Sequence, residues 1–444
     1  MICIKYAFLK NRNQNKNRTT LLKIEQLHQL FLESNSICTD TRKIQKNDIF
    51  FALKGENFNG NTYAENALKS GAKYAIIDDA EFEKSHKTIL VNNVLETLQK
   101  LATYHRNYLK TPIIALTGSN GKTTTKELIN VILSKKYKTV ATIGNLNNHI
   151  GLPLTLLSMT KDTEIGIVEM GANHQKEIEF LCAIARPDYG LITNYGKAHL
   201  EGFGGVKGII KGKSEMYDFL MANNKTIFVN AEDSIQIKKT IKAQKFTFGN
   251  TNQNVNIKFI NANPFVSLEY HKIKIQSQLI GDYNYTNIAI AITIGNYFKV
   301  QDRDIKTAIE SYIPTNNRSQ IIDKNSNKII LDAYNANPTS MEAALLNFEK
   351  QDGYKIAILG DMFELGDEAK AEHQSITTLA TSLNIDQVIF VGENFYKSKL
   401  KSKKGIQYKT FKDFKNIFDL SKTENTTFLI KGSRGMALER VLDF

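Results

Sequence analysis

Residues 113 to 128 read IIALTGSNGKTTTKEL. An apolar run of strand length leads into a glycine-bearing turn, and a lysine and three hydroxyls follow where helical spacing begins. Gly118 and Gly121 let backbone N–H groups approach an anion, with Ser119 and Asn120 between them. The helix N-terminus adds the positive end of its dipole, Lys122 reaches the outer phosphates, Thr123 offers a hydroxyl to magnesium, and Thr124 follows. Leu116 stands where the first glycine of the usual phosphate loop would fall, so the motif is the shorter G-x-x-G-K-T. A tight strand-to-helix turn with a surface lysine is the plain alternative; the strand before and the helix after favour nucleotide binding.

The same rhythm continues on both sides. Downstream, EIGIVEMG, HQKEIEFLCAIA and YGLITN alternate strand, helix and strand, the order of a parallel sheet with crossover helices. This central α/β domain is expected over 111–313. Upstream, IEQLHQLF has helical spacing, and DIFFAL, AENALKSGA and YAIID form a smaller α/β unit, expected over 24–110. Beyond the polar stretch IPTNNRSQ, the strands KIILDAY, KIAILGD, DQVIFVG and TTFLIKG with intervening helices predict a doubly wound domain over 314–444.

In an open parallel sheet the carboxyl ends of the strands line the ligand crevice. Glu169, in VEMGANHQ, ends one strand, and His199, in LITNYGKAHLEGFG, lies just beyond the next; their common placement makes both candidate metal ligands at the loop's phosphates. Alone, a strand-end glutamate is usually solvated and a histidine usually packs. Between loop and Glu169, TIGNLNNHIGLPLTLL supplies Asn145, Asn147, Asn148 and His149, whose amides either cap turns or contact phosphate and an attacking carboxylate.

Taken together, TGSNGKTTTKE, VEMGANHQKEI and TNYGKAHLEGFG resemble the Mur ligase family. GNLNNHIGLPLTLL, LDAYNANPTSMEAAL, ILGDMFELGDEAKAEH and LIKGSRGMALERV are similar to the member that joins D-alanyl-D-alanine to UDP-N-acetylmuramoyl-tripeptide through an acyl phosphate. The resemblance runs from about Ile24 to the C-terminus. It implies an α/β protein of three domains: a small UDP-sugar-binding domain, a central P-loop ATPase-like domain with a parallel sheet, and a C-terminal Rossmann-like domain. It also implies ATP with two Mg2+ ions, Asn287 for adenine recognition, and Arg318 and Asp332 reaching the nucleotide from the third domain. CTDTRKIQKNDIFFALKGENFNGNTY resembles the UDP-binding stretch and marks Thr41 and Arg42, with Asn145 and Asn148 as further substrate contacts. There Thr41 replaces a serine of the family pattern, and Asn59 and Asn61 replace an aspartate and a histidine.

The family pattern further marks Lys213, in KGIIKGKSEMYDFL, as a lysine whose amine takes up carbon dioxide to form a carbamate. The match requires a helical lysine followed two positions later by a glutamate, here Glu215. An ammonium only donates hydrogen bonds and repels magnesium, whereas a carbamate is an anionic oxygen ligand able to hold the second metal with His199. Lys211 is easily confused with it, and the plain alternative is that both lysines are surface residues.

Composition excludes little but agrees. The 444 residues are 42% hydrophobic and 23% charged, enough for several cores. Cys3, Cys38 and Cys182 lack metal or disulfide spacing and read as reduced thiols of a cytoplasmic protein. Of the net charge of +13, six lysines and arginines sit in residues 1–23, a basic leader without family counterpart. The basic run KSKLKSKKG lacks stacking aromatics and reads as a solvated face, so no nucleic-acid partner is expected, nor a membrane one, since no apolar run reaches about 18 residues. We expect a monomer acting on its two substrates. The family's ligase for the third peptide residue resembles D-N-P-R in its third domain, which is absent here, and folylpolyglutamate synthase would lack the UDP-binding domain. A nucleotide-switched binding protein differs from an enzyme by showing no substrate-dependent phosphate release.

Overall fold

The computed structural model describes residues 22–315 and 317–443. The expected leader therefore lies, but for its last two residues, outside the described residues, as does Cys3. Contacts divide the chain into two compact units: residues up to 113 with 142–168 and 180–186, and residues 114–141 and 169–179 with everything from 187 onward. This grouping differs from the three boundaries expected from sequence, because the segment after residue 313 packs into the same unit as the phosphate loop.

In the first unit, four parallel strands run in the order Ile37–Cys38, Ile49–Phe51, Tyr74–Ile77 and Thr88–Leu90. Phe50, Ala52, Ala64, Ala67, Ala75 and Ile77 form the core on one side. The helix Val94–Leu109 starts where the Asn93 side chain accepts the Glu96 N–H at 2.8 Å and stops at Lys110, which is left-handed at φ 58°. Its buried stripe of Leu98, Leu101, Ala102 and His105 follows helical periodicity, and the helix Ile24–Leu32 presents Leu27, His28 and Phe31 to it.

The second unit holds two sheets. In the first, Ile113–Thr117, Tyr189–Ile192, Thr226–Asn230, Lys245–Gly249 and Val255–Ala262 run parallel, and Phe265–Tyr270 and Ile273–Ile280 extend the edge antiparallel. That extension, with its alternating burial, was not expected from sequence. The other is six-stranded, in the order Gln320–Lys324, Asn327–Asp332, Thr426–Lys431, Tyr354–Gly360, Gln387–Val391 and Gly405–Tyr408, with only the first strand antiparallel. Its core is Ile329, Leu331, Ile356, Ile358, Ile389, Phe428 and Ile430. The carboxyl ends of three adjacent strands thus place Asp332, the 361–366 loop and Ser433 along one edge.

One helix starts later than its periodicity suggests. The helix expected from His174 begins at Glu177, because Lys176 is left-handed at φ 73° and the Glu177 carboxylate accepts the Asn173 and His174 N–H groups at 2.7 and 3.3 Å.

Candidate active site

The strand Ile113–Thr117 is wholly buried and delivers its last residue straight into the glycine turn before the helix Lys122–Leu133. Two glycines are required there. Gly118 has φ 144°, and a Cβ would stand 2.0 Å from the Thr193 hydroxyl; Gly121 has φ 77°, and a Cβ would meet the Asn287 amide oxygen at 2.3 Å. The loop is braced by the end of the neighbouring strand. Thr193 donates to the Asn120 carbonyl at 2.6 Å, the Asn194 side chain takes the Asn120 N–H at 3.2 Å, and the Asn194 carbonyl takes the Ser119 N–H at 3.0 Å. Sequence reasoning missed Thr193 and Asn194; a Thr-Asn pair directly after the apolar run YGLI was their only signal.

Lys122 folds back so that its ammonium donates to the Gly118 and Ser119 carbonyls at 2.8 and 3.3 Å. Desolvation holds its pKa below the ordinary lysine value, with Arg318 acting in the same direction and Glu169 against it. Thr123 donates to the Glu169 carboxylate at 3.0 Å, and both side chains are buried. The hydroxyl of the loop and the strand-end carboxylate, 46 residues apart, therefore meet as sequence reasoning expected. Lys126, also buried, adds a cation that was not anticipated; desolvation lowers its pKa while Glu169 and Glu127 raise it.

Asn287 lies beside Gly121, but its amide is already engaged: it accepts from Thr125 at 3.1 Å and donates to Asn284 at 2.8 Å. Arg318 stacks its guanidinium 3.8 Å above the Tyr334 ring. Its Nε, the Ser119 hydroxyl and the Asn120 amide nitrogen are buried without hydrogen-bond partners among the described residues. Two such donors on the loop, with an arginine whose charge is felt at Lys122, suit an anionic ligand, since an unpaired buried donor otherwise costs about 1–3 kcal/mol. Asp332 sits one step away, bonded to Lys431 at 2.6 Å and to the Ser319 N–H at 3.2 Å.

Lys213 is 0% exposed on the helix Val206–Ala222, whereas Lys211 is exposed. Its amine donates to the Ala172 carbonyl at 3.1 Å, lies 4.8 Å from the Phe203 ring centre, and pairs with no carboxylate among the described residues. Burial, reinforced by the charge of Lys122, drives its pKa well below the ordinary lysine value, a shift that favours the uncharged amine. Glu215 does something else: its two oxygens accept the N–H groups of Lys176 and Glu179 at 2.7 and 3.1 Å, fixing the start of the helix Glu177–Ala185.

His199 is left-handed at φ 54°, and its Nδ1 bonds to Glu364, itself left-handed at φ 61°. Backbone of this kind costs about 1–3 kcal/mol per residue and concentrates at functional sites. Among the described residues no three His, Cys, Asp or Glu side chains cluster as a ready metal cage. The donor set of Thr123 and Glu169 nevertheless fits a hard cation that takes its other ligands from phosphate and water.

The substrate residues expected from sequence all fall in the first unit. Arg42 is exposed and clasps Asp40 through two bonds of 2.9 and 2.8 Å, and Thr41 opens the short turn that Asp40 caps. Asn61 is buried and fully engaged, its amide bonding Asn59 and Asp78. Asn148 accepts the Ile150 and Gly151 N–H groups just ahead of the helix Gly151–Leu157, while Asn145 is exposed.

Three family models match the chain in succession: "Mur ligase family, catalytic domain" over 33–109, "Mur ligase middle domain" over 116–295, and "Mur ligase, glutamate ligase domain" over 317–434. The chain belongs to the Mur ligase family. Among its relatives is the UDP-N-acetylmuramoyl-tripeptide–D-alanyl-D-alanine ligase of Bacillus subtilis, 33% identical with 92% of each chain covered. Among solved structures, MurF from Acinetobacter baumannii superposes with a TM-score of 0.85 at 29% identity, over 95% of this chain and 98% of that one. The MurF ligase of Thermotoga maritima in complex with ADP follows at 0.78 and 26%, over 93% and 97%.

Proposed function

We propose that the chain is an ATP-dependent ligase that adds D-alanyl-D-alanine to UDP-N-acetylmuramoyl-tripeptide, a cytoplasmic step of peptidoglycan precursor synthesis. The Thr123–Glu169 contact at a glycine-lined phosphate loop carries the chemistry. Full-length likeness to ligases of that one name carries the choice of substrates. No described helix is long and apolar enough to cross a membrane, and the protein is taken to act as a monomer.

In this reading the tripeptide carboxylate attacks the γ-phosphorus of ATP, and the amine of D-alanyl-D-alanine displaces phosphate from the acyl phosphate. Two anions at 4 Å repel by about 4 kcal/mol at an effective dielectric of 20. Lys122 and Arg318 offset that charge, with Gly118, Gly121 and Thr124 giving backbone and hydroxyl donors and Ser119 and Asn120 their unpartnered hydroxyl and side-chain amide. Thr123 and Glu169 would hold one Mg2+, and His199 and a carbamylated Lys213 a second; bound there, the ions neutralise charge on the transferring phosphoryl group. The amine of Lys213, once deprotonated, would form the carbamate by attacking carbon dioxide: the N–C bond forms as one C=O π bond opens onto oxygen, and the nitrogen releases a proton. Asn287 and Asp332 are assigned to the nucleotide, and Thr41, Arg42, Asn145 and Asn148 to the UDP-tripeptide. The domains are assigned as 24–110 for the UDP-sugar, 111–313 for ATP and 314–444 for ligation.

Phosphate release measured with purified UDP-tripeptides ending in diaminopimelate or lysine, with and without D-alanyl-D-alanine, tests this. Release that needs both partners supports ligation; release indifferent to D-alanyl-D-alanine rejects it.

A further inference from the structure

We propose that Glu364 is the positioning residue for His199, and that it delivers the imidazole to the second metal only when the last segment of the chain lies against the ATP-binding segment. This rests on the reading of His199 as a metal ligand. The Glu364 carboxylate bonds the Nδ1 of His199, 165 residues earlier in the chain. A carboxylate accepts and does not donate, so Nδ1 carries the proton and Nε2 keeps its lone pair for a cation. A carboxylate behind a metal-binding imidazole is the usual way to fix both ring orientation and tautomer.

The loop that carries Glu364 is built to hold it there. Asp361 accepts the Asn394 and Phe395 N–H groups, each at 2.9 Å, and anchors the loop's start. The Met362 N–H bonds His373 at 3.0 Å and the Phe363 N–H bonds Ser433 at 2.9 Å, so the two residues before Glu364 are pinned to the sheet edge. Across the contact, the Glu364 carbonyl accepts the Glu201 N–H at 3.3 Å, and Gly366, at φ 53°, lies where a Cβ would stand 3.1 Å from the Glu201 side chain. The same pair of segments meets again at Lys197, which bonds Glu372 at 2.6 Å and, through its N–H, Thr339 at 2.9 Å. A third meeting joins Asn120 of the phosphate loop to Asn337 at 2.7 Å. His199 is therefore oriented by the same docking that brings the last segment to the phosphate loop. Glu364 itself is 51% exposed, so its truncation removes little packing.

The test compares Glu364→Ala, Glu364→Gln and His199→Ala in the full chain, with Mn2+ as the metal probe. Ring-nitrogen NMR of 15N-histidine-labelled protein reads the tautomer without metal or turnover, the resonance of His199 being the one lost in His199→Ala. We expect the Nδ1–H form in the wild type, a shift toward Nε2–H in Glu364→Ala, and retention in Glu364→Gln, whose amide oxygen still accepts. Mn2+ titration with a non-hydrolysable ATP analogue should show the weaker of two sites loosened about 10-fold or more in Glu364→Ala and within about threefold of wild type in Glu364→Gln. Wild-type tautomer and Mn2+ affinity in Glu364→Ala overturn the proposal, as does a Gln variant as weak as the Ala variant, because a neutral acceptor would then not suffice. Wild-type Mn2+ binding in His199→Ala would instead overturn the metal reading beneath it.

Discussion

Two regions of this molecule bury bases whose pKa values burial lowers, and they do so to different ends. On the helix Val206–Ala222, Lys213 is enclosed with one carbonyl and one aromatic ring for company, and the cation of Lys122 is near enough to press its pKa further down. In the first unit, His28 and His105 are equally enclosed, but they bond each other at 3.0 Å, and His105 reaches the Met159 carbonyl at 2.9 Å through its other nitrogen. That carbonyl fixes a proton on His105 Nε2, so His105 Nδ1 accepts from His28. His28 Nδ1 is then left bare, without a partner among the described residues. Phe31, Tyr104 and Tyr108 pack around the pair. Burial lowers both histidines, His28 to about 4, with its neighbour adding to the effect. A depressed pKa therefore marks burial first; the company a base keeps separates a reactive group from a packing one.

Substitutions should divide the two regions cleanly. Lys122→Ala, which removes the loop's phosphate cation, should cost at least about 1,000-fold in ligation while the melting temperature stays near wild type. Wild-type turnover in a phosphate-release assay would defeat the loop assignment. Lys213→Ala should lose about 100- to 1,000-fold and regain part of it with added small carboxylates, whereas exposed Lys211→Ala should lose little. Full activity of Lys213→Ala in bicarbonate-free buffer would return Lys213 to the same class as His28.

His105→Ala should act on stability instead. It leaves a cavity and unpairs both His28 and the Met159 carbonyl, at about 3 kcal/mol, with turnover per folded molecule little changed. Denaturant titration and active-site counting check this together. The pair also makes stability pH-dependent with a definite sign. Since the folded pKa of His28 lies below its unfolded value of about 6.5, the unfolded chain binds more protons between them, and stability falls as pH drops from about 6.5 to 4. His28→Phe should flatten that part of the profile; an unchanged slope would show that the pair does not set it. The smallest effect is expected from Asp332→Asn, which should weaken ATP binding severalfold and leave UDP-tripeptide binding unchanged. Calorimetric titration of each ligand reads the two separately, and equal losses would count against their assignment to different parts of the chain.

Much of this was legible before folding. A phosphate loop is local: strand, glycines, lysine and helix mouth are contiguous, and backbone geometry alone makes residues 118–124 a cradle. That Glu169 would meet the loop at Thr123 was legible by rule, because strand ends in a parallel sheet share one edge. The antiparallel edge 265–280 was missed because short alternating strands carry a weak signal that depends on which face the neighbours bury. Asn287 was marked for adenine by resemblance alone; that its amide also accepts from Thr125 of the loop helix, across 162 residues, is a contact no local pattern displays.

The sequence by itself determined the strand and helix order, the loop and the family, since these follow from periodicity and from contiguous motifs. Tertiary structure alone decided which of Lys211 and Lys213 is buried, because burial depends on what surrounds a side chain and not on its neighbours in sequence. It alone also gave His199 its partner, for Glu364 reaches it only after two sheets have formed and their strand ends have met.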